Sequence, residues 1–179
     1  MWLRDRLKKA MVVKSAEGEL SPRHQYGAAL VSGHASFYLE QYVQAELSII
    51  DALNYKEIKS KPKKDLREKL AASIYKQGEA AKEAGDYDLA VKNWLRIASI
   101  VPESDIKVSA EFDAATLLMA SKQYDQAVPV LLDFRARYPN HRLLKNIPSK
   151  LIVAYESQEK WAEAAAELQL IWKQSNNTE

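Results

Sequence analysis

The chain has 179 residues, of which 47% are apolar and 28% charged; those are the proportions of a folded protein and not of a disordered one. With 5 glycines, 6 prolines and no cysteine, the composition argues against a turn-rich all-β sandwich and excludes disulfides, thiol catalysis and thiolate metal sites. A net charge of +2 is too balanced for a protein that coats duplex nucleic acid by charge alone.

Along the chain, the apolar set Trp2, Leu3, Leu7, Ala10 and Met11 predicts a helix over 2–14. Residues 1–20 read either as a cap or as the remnant of an upstream helix pair. Further helices are predicted over 22–39, 42–54, 63–84, 87–100, 105–121, 124–138, 141–157 and 161–175. Ser21-Pro22 supplies an N-cap followed by a first-turn proline, and Ser104 is placed to cap the helix that begins near Asp105. Gly85 suits the left-handed residue after a helix, while Pro102 and Pro139 end the helices before them. Pro148 does not suit a helix interior, so the predicted helix there starts late, near Pro148, after a short turn. From residue 56 to 69, Lys56, Lys59, Lys61, Lys63, Lys64, Arg67 and Lys69 concentrate the positive charge. A solvated connection is the plain reading of that run, and contact with an anionic membrane or nucleic acid is the alternative. No window approaches the roughly 18 apolar residues that span a bilayer.

One pattern recurs four times: Glu40-Gln41-Tyr42-Val43-Gln44-Ala45, Gly85-Asp86-Tyr87-Asp88-Leu89-Ala90, Lys122-Gln123-Tyr124-Asp125-Gln126-Ala127 and Glu159-Lys160-Trp161-Ala162-Glu163-Ala164. The ring and the alanine advance together by 45, 37 and 37 positions, and Pro102 and Pro139 are also 37 apart. After each alanine a helical stripe follows: Ala45, Ile49, Ala52; Ala90, Trp94, Ile97; Ala127, Leu131, Phe134; Ala164, Leu168, Ile171. A second stripe precedes each turn, with small residues at Gly33, Gly78 and Ala115 that suit close helix approach. The four turn rings, Tyr42, Tyr87, Tyr124 and Trp161, are expected to pack across their turns. A unit of two helices cannot bury its apolar face alone, so units stack and leave a curved groove. The fold class predicted is all-α: an α-solenoid of antiparallel helix hairpins with about nine helices. Its array spans 21–179, in four hairpins at about 22–54, 63–102, 105–139 and 141–175.

These residues resemble the tetratricopeptide repeat family. Leu70–Pro102 carries the likeness best, through Gly78, Ala81, Gly85-Asp86-Tyr87, Ala90, Trp94, Ile97 and Pro102, and the likeness extends over about residues 26–175. The pitch of 37 departs from the family's usual 34, Leu118 stands where an aromatic is usual, and Pro148 interrupts the fourth unit. The ending Phe134-Arg135-Ala136-Arg137-Tyr138-Pro139-Asn140 is similar to that of bacterial cell-envelope members, which favours a periplasmic setting over a cytoplasmic one. The resemblance implies a right-handed superhelix whose first helices line a concave surface that binds peptides or proteins. On that geometry His34, Phe37, Tyr75, Glu79, Lys82, Phe112, Thr116 and Met119 face the groove. Leu30, His34, Tyr75, Lys76, Glu79, Phe112 and Asp113 stand where chaperone-binding members carry a carboxylate clamp, and this set is too apolar and acidic for one.

No catalytic constellation is present. His24, His34 and His141 are not paired at helical spacing, and there is no phosphate loop or nucleophile elbow. No enzyme activity, cofactor or metal is expected. The expected function is a non-catalytic scaffold for a protein or peptide partner, in bacterial envelope assembly, with no nucleic acid. Self-association through the end of the stack and anionic binding through 56–69 are the alternatives, and the latter would weaken steeply between about 50 and 200 mM salt.

Overall fold

The computed structural model describes residues 21–176; the helix expected over 2–14 lies outside the described residues. Eight α-helices follow in pairs: α1 Pro22–Tyr38 with α2 Tyr42–Leu53, α3 Ser60–Glu83 with α4 Tyr87–Ile100, α5 Ile106–Ala120 with α6 Tyr124–Arg137, and α7 Ile147–Ser157 with α8 Trp161–Asn176. A 3-10 turn, Arg142–Asn146, precedes α7. The described residues hold no strand. Each helix packs on its neighbours in sequence, and α3 also touches α5, the first helix of the next hairpin. This nearest-neighbour pattern makes the fold an α-solenoid.

The four turns are built alike. Glu40, Gly85, Lys122 and Glu159 all have positive φ, at 59°, 81°, 59° and 58°. The next residue in each case donates its N–H five positions back, to Ser36, Ala81, Leu118 and Tyr155, at 2.8, 2.9, 2.8 and 2.8 Å. That bond satisfies a carbonyl which the helix end leaves open, and the left-handed residue is what brings the donor round. Only one of the four positions is glycine, so the other three hold a conformation that costs about 1 kcal/mol for a residue with a Cβ.

The expected stripes form the core. Ala45, Ile49, Ala52, Ala90, Ile97, Ala127, Leu131 and Phe134 are fully buried and Trp94 nearly so. Close approach fixes the small residues: a Cβ on Gly33 would lie 2.8 Å from Ile49 Cγ1, and one on Gly78 would run into the Trp94 ring. The fourth stripe departs from expectation beyond Ala164, since Leu168 is 52% exposed and Ile171 half-buried. No further hairpin among the described residues stacks on α8, so its outer face lacks the cover that α4 and α6 receive. Two turn rings also differ from expectation: Tyr87 and Trp161 point outward, at 44% and 64% exposure, and only Tyr42 and Tyr124 are half-buried.

Helix starts follow local chemistry with two corrections. Ser21 makes no side-chain cap; its Oγ lies 2.8 Å from His24 Nδ1, and its carbonyl accepts from the His24 N–H. The helix expected from 63 begins at Ser60, because Pro62 falls in the first turn, where a missing N–H breaks no intrahelical bond. Ser104 Oγ accepts from the Ile106 N–H at 3.2 Å, and α7 starts at Ile147 with Pro148 in its first turn. Pro129 sits inside α6, where it removes one helix bond.

Polar clamps tie hairpins together. At the first junction Arg96 donates to both carboxylate oxygens of Glu46 at 2.5 and 2.7 Å, and Gln77 Nε2 donates to Glu46 Oε2 at 2.6 Å. At the third, Arg135 Nη1 donates to both oxygens of Glu167 at 2.8 Å. Burial alone would raise the Glu46 pKa, but the Arg96 and Gln77 hydrogen bonds and the Arg96 charge hold it below its usual range.

Candidate functional site

The eight expected groove residues lie on the three first helices α1, α3 and α5. Their spacing repeats: Tyr75, Glu79 and Lys82 on α3 match Phe112, Thr116 and Met119 on α5, each set at i, i+4 and i+7, one helical face.

The structure gathers four of the eight, Tyr75, Glu79, Lys82 and Thr116, around one cleft of about 280 Å³ between α3 and α5, with Trp94, Glu83 and Asp113 in its wall. Tyr75 O–H donates to Asp113 Oδ2 at 2.6 Å, and its ring packs on Trp94 at 5.9 Å between centroids. Trp94 Nε1 in turn donates to the Tyr75 carbonyl at 3.1 Å. Burial, then the Asp113 hydrogen bond and charge, push the Tyr75 phenol far above its ordinary value, so the hydroxyl stays a donor. Glu79 pairs with Lys76 at 2.5 Å, and Lys82 is exposed. The Thr116 hydroxyl is buried with no hydrogen-bond partner among the described residues.

His34 and Phe37 form a separate cluster with α3. Lys69 Nζ sits 4.5 Å from the Phe37 ring centre and 4.9 Å from that of Tyr38, and Phe37 meets Tyr42 edge-on at 5.6 Å. Burial, then the Lys69 charge, lowers the His34 pKa, which keeps that ring neutral. Phe112 packs on Phe134 at 5.8 Å, and Lys150 Nζ of α7 stands 5.5 Å from its centre; burial lowers the Lys150 pKa. Met119 packs against both apolar clusters of the core, so packing claims much of its surface.

Sequence reasoning placed Asp113 on this face but missed its bond to Tyr75, and it missed Lys69 and Lys150 as parts of the face. A signal existed for two of them. Asp113 lies 38 residues after Tyr75 and Lys150 lies 38 after Phe112, so a ring on one first helix meets a charge one register step later on the next. The basic residues Lys56, Lys59, Lys61, Lys63 and Lys64 stand apart from the groove cluster, exposed in the α2–α3 connection and the first turns of α3. No group of three or more metal-ligating side chains occurs among the described residues, and no described helix is long and apolar enough to cross a membrane.

A family model described as tetratricopeptide repeat matches residues 72–104 and 109–141, which run from within α3 to beyond α4 and from α5 to beyond α6. Among curated proteins and solved structures nothing matches the chain.

Proposed function

We propose, from the tetratricopeptide repeat matches at residues 72–104 and 109–141, a class of helical module that generally holds other proteins, that the first-helix face of α1, α3 and α5 binds a segment of a partner protein without catalysis. The cleft at Tyr75, with Phe112 at the equivalent position of the next hairpin, carries this reading. Two rings one register step apart offer two anchors, which suits an extended or helical peptide. The cleft wall sets Glu79, Glu83 and Asp113 against Lys82, so the segment seated there carries a basic residue at that point. The likeness of the Phe134–Asn140 ending to cell-envelope members supports a partner among bacterial envelope-assembly proteins.

Alanine at Tyr75 or Phe112 is a poor probe, because both rings also pack on buried aromatics. The test uses Glu79→Arg with Lys82→Glu, two side chains at the cleft rim, in the full chain. The double variant keeps its far-UV circular dichroism and loses a partner that the parent chain retains in pull-down from its source cells. Retention of that partner by the folded variant would sink the groove reading.

A further inference from the structure

A second cleft lies on the other side of the stack. On α5, Glu111 projects from the face opposite Asp113 and Thr116, as 3.6 residues per turn require. It lines a cleft of about 310 Å³ between α4 and α6, the two second helices at the middle junction.

The flanking junctions explain why that space is open. At the first, Arg96 of α4 bridges to Glu46 of α2; at the third, Arg135 of α6 bridges to Glu167 of α8. In the register of Ala45, Ala90, Ala127 and Ala164, the middle junction has Val91 and Asp133 where the first has Glu46 and Arg96. It has Ala98 and Val130 where the third has Arg135 and Glu167. No ion pair joins α4 to α6 among the described residues. Instead Leu95 and Ala98 form one wall and Pro129 and Val130 the other. At the polar end Arg137 Nη1 donates to Glu111 Oε1 at 2.7 Å, with Nη2 at 3.4 Å from Asp133 Oδ2. Two carboxylates thus face one guanidinium, and the cleft keeps one uncompensated negative charge.

We propose that this cleft receives an arginine side chain of a partner protein, at a docking point separate from the groove. The stem lies between the apolar walls, and the guanidinium meets the Asp133 carboxylate, whose side chain is 73% exposed. Arginine is favoured over lysine because both neighbouring junctions, each in its own register, close on a guanidinium held by a carboxylate. A planar, weakly hydrated head also suits an apolar slot better than a compact ammonium does. A single arginine buried in a slot is a frequent energetic anchor of interfaces.

The test is a set of amide NMR titrations of the full chain with N-acetyl-arginine amide, N-acetyl-lysine amide and N-acetyl-citrulline amide. The arginine probe shifts amides around Leu95–Ala98 and Val130–Asp133 and leaves those around Tyr75 unmoved; the other two probes bind more weakly. Asp133→Asn, a surface change, weakens arginine binding by about threefold to fivefold. Ala98→Arg with Val130→Glu builds the third junction's own bridge into the cleft, abolishes the arginine shifts and raises the melting temperature. Equal shifts from arginine and citrulline or lysine, shifts confined to the groove face, or arginine binding unchanged in Asp133→Asn would each overturn the proposal.

Discussion

Gly78→Ala puts a methyl group within 3.0 Å of three Trp94 ring atoms. The ring has nowhere to retreat: Trp94 is 2% exposed, and Ile74 and Ala81 on the same α3 stripe are buried beside it. Relief requires the indole to tilt, which breaks its 3.1 Å bond to the Tyr75 carbonyl and disturbs the Tyr75 ring packed on it. Against this, alanine in a helix interior is worth up to about 1 kcal/mol over glycine. Overpacking costs about 1–3 kcal/mol and the lost hydrogen bond about 1 kcal/mol, so the clash wins by about 2 kcal/mol. For a chain of this size that lowers the melting temperature by roughly 4–8 °C. Thermal unfolding followed by far-UV circular dichroism reads the shift. Gly27→Ala is the control: its Cβ meets nothing within 4 Å, so it stabilises by up to about 1 kcal/mol. A Gly78→Ala protein that melts at or above the parent temperature would refute the packing account.

Other outcomes follow from the same geometry. Glu46→Gln leaves Arg96 without its carboxylate and costs about 2 kcal/mol, less than a wholly buried pair because Arg96 is 27% exposed. Since the folded Glu46 pKa lies below the ordinary 4.5, the parent holds this stability above about pH 4.5 and loses it as pH falls through the folded value. Urea midpoints across that range therefore fall more steeply for the parent than for Glu46→Gln, and parallel curves would contradict the assignment. His34 titrates below 6.5 in an NMR pH series, and Lys69→Gln moves it only partway back, because burial is the larger cause. Its folded pKa is depressed, so its share of stability fades as pH drops below the unfolded value. Lys122→Gly relieves a left-handed residue and stabilises by about 1 kcal/mol, whereas Gly85→Ala, at φ 81°, destabilises by a similar amount; chemical denaturation measures both.

The candidate face came from the family resemblance, which placed Tyr75, Glu79 and Lys82 on one first helix; the structure sets all three around one cleft with Thr116. His34 and Phe37 were legible as residues of the same face but not as a cluster on Lys69, because that contact crosses from α1 to α3. Pro129 passed unnoticed in the sequence: neighbouring apolar positions kept the helical period, and the helix tolerates the missing bond.

By itself the sequence determined the unit, its corners and its core. A period of 37 with a ring and an alanine in fixed phase repeats the same two-helix unit, and the alanine at each second-helix start is buried in all four. The tertiary structure decided what lies between units. Whether Tyr75 meets Asp113, whether Leu168 is covered, and why the middle junction opens into a cleft while its neighbours close on arginine–glutamate pairs all depend on how helices some forty residues apart cross. No local periodicity encodes that crossing, because it is set jointly by the side chains of both helices.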